Sequence, residues 1–463
     1  MRHGGQILID QLKIQGVERV FCIPGESYLP ALDGLYGSGI ETVVGRQEGG
    51  VAMMAEASGK LTGRPGVAFV TRGPGATNAS AGIHIAFQDS TPMVLFIGQV
   101  DSSQRDREAF QEVDYKKMFT PLAKWVAEID KTERIPEYVS RAFSVAVSGR
   151  PGPVILSLPE DILFAKSNVI DAPKIKPLRQ MVSESDVKEI ITKLKNASNP
   201  FIIVGGSGWS LEASKSLGKF AKTLGIPVGT SFRCQDYLDN YHPNYVGDVG
   251  IGINPELLKR IKKADCILVL NARLGEMTTG GYSMFDIPKT KQYLIHIHPD
   301  PNELGSVYQP DIGLVCNSPD FIQKAAEISK DSQRKPPIKE RKSYEAWQKI
   351  ITTPGDVKME IVIKTLSETI SEKTIITNGA GNYAVWVHRL FRFKKYNTQL
   401  APISGSMGYG VPAGIAAKLK HKNKEVIAFA GDGCFQMTSN EFATAVQFNV
   451  GLVVIVVDNE MYG

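Results

Sequence analysis

Cysteine is scarce in this sequence and unpatterned. Five thiols (Cys22, Cys234, Cys266, Cys316 and Cys434) are spread over 463 residues with no CxxC pair among them. An odd, scattered set argues against a disulfide framework or a zinc site and fits free thiols in a reducing cytosol. No apolar stretch reaches the ~20 residues of a membrane span. The opening "MRHGGQILIDQL" reads as an amphipathic helix rather than a signal peptide, so a cytoplasmic protein with no membrane partner is expected. Long runs of one charge sign are also missing. The 53 Lys+Arg and 48 Asp+Glu are interleaved, which removes the compositional basis for binding nucleic acid. No short-period repeat or low-complexity tract appears.

What is present is alternation. Residues 1–168 place short β-rich runs ("RVFCIPG", "ETVVG", "GVAFVTRGPG", "TPMVLFIGQ", "GPVILSLP") between helical stretches such as "GGVAMMAEASGKLTG". A second alternating unit covers 184–330 ("PFIIVGGSG", "IPVGTS", "CILVLNARLG", "YLIHIHPDP"). A third covers 356–463 ("KTIITNGAGN", "EVIAFAGDG", "LVVIVVDN"). Strands alternating with helices predict parallel sheets covered on both faces. The expected fold class is therefore α/β, with three doubly wound domains in series. The proline-bearing stretches "FAKSNVIDAPKIKPLRQMVSESD" and "SKDSQRKPPIKERKSY" read as linkers.

The chemistry gathers at two loop tips. "EVIAFA" reads as a buried strand, "SNEFATAVQF" as a helix and "LVVIVVD" as a second strand. A right-handed crossover makes the two strands parallel and sends their C-terminal ends to one edge. Asp432 follows the first strand and Asn459 the second, 459 − 432 = 27 residues later. If the two strands are neighbours, ~4.8 Å apart, both side-chain oxygens can reach one ion. Gly431 and Gly433 bare the backbone to a phosphate. A hard cation with oxygen ligands, shared with a substrate diphosphate, points to Mg²⁺. Either tip alone would be an ordinary tight turn; their pairing is the signal.

GDG followed by this Asn resembles the thiamine-diphosphate signature of the acetohydroxyacid synthase and pyruvate oxidase superfamily. The resemblance implies that Asp432, Asn459 and the main-chain carbonyl of Met461 bind Mg²⁺. It counts Gly431, Gly433 and Cys434 among the cofactor-binding residues. "VVGRQEGGVAMMAEASGKLTGRPGVAFVTRGPGATN" carries the family's second pattern. Its Glu48 stands where a strand gives way to a helix; without that context it would be a favourable charge at a helix start. The resemblance makes Glu48 the carboxyl that hydrogen-bonds the aminopyrimidine ring, and Pro74 and Asn78 residues that touch it. Desolvation raises a carboxyl's pKa, so Glu48 is expected to exchange a proton with the ring nitrogen. "PISGSMGYG" implies Met407 as the wedge between the cofactor's rings and Gly405 as the carbonyl that holds its amino group. "NGAGNYAVW" implies that Gly381, Asn382 and Tyr383 offer N–H groups to the diphosphate.

By the same resemblance the three domains bind the pyrimidine (1–168), carry a flavin-type fold (184–330) and bind the diphosphate (356–463). The sequence stops at Gly463, and the third domain is expected to be incomplete. "AFQEVD" matches the acetohydroxyacid synthase form closely, mapping Phe110 and Gln111 to the substrate pocket. The implied activity is decarboxylation of a 2-keto acid, pyruvate, and transfer of the two-carbon unit to an acceptor, as in branched-chain amino acid biosynthesis. The implied assembly is a homodimer or tetramer with the active site at the subunit interface. FAD and a small regulatory subunit are further possibilities within the family. Two departures stand out: "PGES" puts Glu26 and Ser27 where the synthases have PGGA, and Met277 replaces an arginine that recognises the acceptor. They leave open another thiamine-diphosphate-dependent decarboxylase, aldehyde lyase or acyltransferase. A non-catalytic cofactor-binding homologue is the alternative from a different class. "GGSGWSL" has Leu211 where a dinucleotide fingerprint needs its third glycine, so an NAD-binding domain is not expected.

Overall fold

The computed structural model describes residues 1–178, 180–330, 332 and 334–461. Single linker positions and the last two residues of the 356–463 domain lie outside the described residues. The chain forms two compact units. The first takes in residues 1–178, 377–380 and 401–463; the second takes in 179–376 and 381–400. Residues 1–168 fall in the first unit and 184–330 in the second, while 356–463 is divided between the two.

In the first unit a six-stranded sheet has the spatial order Glu41–Val44, Arg19–Cys22, Gly66–Val70, Met93–Gln99, Pro153–Pro159, Trp125–Glu128. Every pairing in it is parallel. Gly66–Val70, Met93–Gln99 and Pro153–Pro159 are buried along their whole length. Burial on both faces explains why they read as continuous apolar runs instead of alternating ones. Trp125–Glu128, the edge strand, was not expected; its half-buried pattern hides in a polar stretch. Val426–Gly431 and Val453–Val457 form a second parallel pair in this unit, as the crossover rule predicts. The second of them is not a buried strand: Val453 is 57% and Val456 40% exposed.

The second unit holds a six-stranded parallel sheet in the order Tyr245–Val249, Val228–Ser231, Phe201–Val204, Cys266–Leu270, Tyr293–His298, Ile312–Val315. The first linker has no helix or strand between Val169 and Val182 among the described residues, as expected, but it is tied down. Gln11 and Gln15 of the first helix hydrogen-bond to the main chain of Ala172, Pro173 and Ile175. The second linker corrects the sequence reading, since its latter half is a helix, Ile338–Trp347. Its charged surface masks one buried face carried by Tyr344. Arg341 fixes it by donating to the carbonyls of Asn240, His242 and Tyr245.

Candidate active site

The helix Glu48–Thr62 begins where the sequence places it. Gln47 caps it, its side-chain oxygen accepting from the N–H groups of Gly49 and Gly50. The helix ends on Gly63 at φ 64°, a left-handed cap suited to glycine. Glu48 occupies the first turn, half-buried, and its Oε2 accepts from Asn78 Nδ2 at 3.0 Å. Asn78 lies in the first turns of the helix Pro74–Gln88, which opens on Pro74 after Gly73. Gly73 has φ +60°, and a Cβ there would meet the Gln111 Cβ at 2.7 Å. A positive φ and a close neighbour both require glycine at this turn. The turn brings the Phe110–Gln111 stretch against the Gly73–Pro74 corner. The structure therefore gathers Glu48, Pro74, Asn78 and Gln111 around one corner, with the Phe110 ring 71% exposed beside it.

At the other predicted centre, strand register decides the geometry. Gly431 pairs with Val457, so Asp432 and Asp458 leave the sheet side by side and Asn459 follows by one residue. Asp432 starts the short helix Asp432–Gln436. Asn459 Oδ1 accepts from Met461 N–H at 3.4 Å, which folds the loop back on itself. No cluster of three or more His, Cys, Asp or Glu suited to a metal occurs among the described residues. The predicted donor set holds only one carboxylate, beside one amide and one carbonyl, so it is of a different kind. Cys434 is buried and its Sγ accepts from Gly408 N–H at 3.1 Å, so the thiol faces protein. Gly405 is exposed at φ +68°, with open space around it, and Met407 is half-buried.

Gly381, Asn382 and Tyr383 fall in the second unit. Asn382 precedes the helix Tyr383–Leu390, where the Ala384 and Val385 N–H groups donate to the Gly381 and Asn382 carbonyls at 3.0 and 3.1 Å. In the same unit Leu211, at the missing glycine, simply begins a helix capped by Ser210.

Several residues that organise this region escaped sequence reading. Glu56 is fully buried; its two oxygens accept from Thr91 Oγ1 (2.6 Å) and Tyr409 OH (2.5 Å), with Lys60 Nζ at 3.6 Å. Burial pushes its carboxyl up, against the pull of Lys60. Asp89 accepts from the Ile403 and Ser404 N–H groups at 3.0 and 3.1 Å and pairs with Lys60. This network anchors the segment that carries Gly405 and Met407. Glu441, also buried, accepts from the N–H groups of Arg46 and Gln47, both at 3.0 Å. It thereby seats the start of the Glu48 helix. A lone glutamate inside the apolar "VAMMAEASG" was the available signal for Glu56. Glu441 offered none, because its partners lie 394 and 395 residues away.

Comparison with known proteins covers nearly the whole chain. Family models described as "Thiamine pyrophosphate enzyme" match in chain order: the N-terminal TPP binding domain over residues 2–118, the central domain over 187–325 and the C-terminal TPP binding domain over 379–463. The chain is 31% identical to a probable acetolactate synthase large subunit of Methanocaldococcus jannaschii, over 99% of this chain and 80% of that protein. It is 32% identical to the acetolactate synthase large subunit of Corynebacterium glutamicum, over 99% and 75%. It is 28% identical to the acetolactate synthase isozyme 2 large subunit of Escherichia coli, over 100% and 84%. No helix among the described residues is long and apolar enough to cross a membrane. With all three domain models matched in order and relatives aligned along nearly its whole length, the chain belongs to the thiamine pyrophosphate enzyme family.

Proposed function

We propose that this protein is a thiamine-diphosphate- and Mg²⁺-dependent carboligase that decarboxylates a 2-keto acid, pyruvate, and passes the two-carbon unit to an acceptor. The observation that carries the reading is the Glu48–Asn78 pair at the Gly73–Pro74 corner. It leaves the other carboxyl oxygen of Glu48 for exchanging a proton with a ring nitrogen. Bound thiamine diphosphate supplies the electron sink for the carbanion left when CO₂ departs. Asp432, Asn459 and the Met461 carbonyl would hold Mg²⁺; hard oxygen donors at neighbouring strand ends suit that ion. Gly431 and Gly433 would bare the backbone to the diphosphate, a role the family resemblance also gives to Gly381, Asn382 and Tyr383. Ser404 Oγ supports a polar ligand beside Gly405: it is buried and has no hydrogen-bond partner among the described residues. Phe110 and Gln111 would line the substrate side.

The proposal extends to FAD in the central domain. Gly205–Gly208 follow the Phe201–Val204 strand at the point where strand order reverses, the usual crevice for a dinucleotide in such sheets. It also extends to a homodimer or tetramer and to a small regulatory subunit, the latter because the relatives are named large subunits.

A direct test identifies by mass spectrometry the small molecules released on denaturation of the protein as purified, and separately incubates the protein with thiamine diphosphate, Mg²⁺ and pyruvate. CO₂ release with an acetoin-yielding product is expected, and thiamine diphosphate and FAD should be among the released molecules. Retained cofactor with pyruvate inert but another 2-keto acid consumed would reject the substrate assignment. Such a result would favour the decarboxylase or lyase reading that Glu26 and Met277 suggest.

A further inference from the structure

Arg72 precedes the Gly73–Pro74 corner, and the sequence reading passed it over. Its side chain is 10% exposed, yet the guanidinium joins three separate segments. Nε donates to the Phe110 carbonyl at 3.2 Å, Nη1 pairs with Glu160, and Nη2 reaches Glu26 Oε1 at 3.2 Å. Its own N–H donates to Ser27 Oγ at 3.3 Å. The buried cation is thus bonded to the residue assigned to the substrate side and to both unusual residues of "PGES".

The three side-chain partners are not equivalent. Phe110 offers a fixed main-chain oxygen, and the Glu160 side chain is 31% exposed. Glu26 is 67% exposed and touches the guanidinium through one oxygen. Charge-assisted N–H···O⁻ bonds are commonly about 2.7–2.9 Å, so the Glu26 contact is long as well as single. A guanidinium carries five N–H donors in a planar fork that matches a carboxylate. Replacing Glu26 by another carboxylate would leave the local charge unchanged, because one anion leaves as one enters. We propose that Arg72 receives the carboxylate of the substrate and that Glu26 is the resting partner it releases. The inference rests on the 2-keto-acid reading above, and it makes Arg72 a specificity-determining residue.

The test measures equilibrium binding of oxamate and of N-phenyloxamate, carboxylate-bearing amide isosteres of 2-keto acids that do not turn over, to the full chain supplied with thiamine diphosphate and Mg²⁺. Wild type is compared with Arg72→Gln, Arg72→Lys and Glu26→Gln, each checked for a cooperative thermal melt. Arg72→Gln should weaken binding about 10-fold to 100-fold, the range for losing a charged hydrogen-bonding partner. Arg72→Lys should recover part of that loss, since it keeps the charge without the fork. Glu26→Gln should tighten binding, because it removes the competing carboxylate. If Arg72 were only a structural clamp, Arg72→Gln and Glu26→Gln would shift binding in the same direction or not at all, which would overturn the inference. Wild type that retains the cofactor and binds neither acid overturns it too. Acid binding with the expected opposite signs, but without retained cofactor, would refute the carboligase reading and leave the Arg72 assignment standing.

Discussion

Replacing Glu441 with alanine removes the acceptor that seats the start of the Glu48 helix. Its fully buried carboxylate takes the partly buried N–H groups of Arg46 and Gln47 at 3.0 Å each and the Thr444 hydroxyl at 2.7 Å. An orphaned buried donor costs about 1–3 kcal/mol, so two main-chain donors give about 2–6 kcal/mol before any cavity is counted. Glu441→Gln keeps one acceptor oxygen and should cost less than the alanine variant. The two variants also separate the effect of charge. Burial pushes the Glu441 carboxyl above its ordinary 4.5, against the pull of its hydrogen bonds. A raised folded-state value means that this stability contribution is full below the ordinary value and is lost as pH rises through the raised one. Glu441→Gln should therefore flatten the stability–pH curve across that window. Urea unfolding of wild type and both variants over a pH series gives both quantities. An alanine variant within about 1 kcal/mol of wild type would contradict this, because two orphaned, partly buried N–H groups together with the space left by a fully buried side chain should cost more.

Two further predictions follow from burial and close approach. Asp236 is buried and accepts from the Thr398 and Gln399 N–H groups; burial pushes its carboxyl from 3.8 up to about 6. Its contribution is full below the ordinary value and lost as pH rises through about 6, so Asp236→Asn should reduce the slope of stability against pH there, as denaturant titrations at several pH values will show. Gly82 lies where the helices Glu48–Thr62 and Pro74–Gln88 cross: an added Cβ would meet the Ala52 Cβ at 2.4 Å and the Ala52 carbonyl carbon at 2.7 Å. Gly82→Ala should cost about 1–3 kcal/mol by overpacking, seen as a lower denaturation midpoint, although alanine is the better helix former.

Most strands were legible because their apolar runs are buried on both faces, and the crossover rule sent Asp432 and Asn459 to one sheet edge, where strand pairing makes them neighbours. The corner of Glu48, Pro74 and Asn78 was legible through its sequence pattern. Edge and surface elements were harder to read. The Trp125–Glu128 strand and the Ile338–Trp347 helix carry only a partial apolar face, so composition disguised them. Long-range polar contacts were the least legible. Arg72 reaches Glu26 and Glu160 across 46 and 88 residues, and Tyr409 reaches Glu56 across 353. Such bonds satisfy donors and acceptors that only the folded chain brings together, and no local periodicity announces them.

The proposed chemistry turns on one carboxyl and one proton. Hydrogen–deuterium exchange at C2 of bound thiamine diphosphate, followed by NMR after acid quench, tests it in wild type and Glu48→Gln. With cofactor occupancy verified in both, exchange in the variant should fall by about 100-fold or more, the scale of a lost acid–base group. Equal exchange rates with the cofactor bound would contradict it.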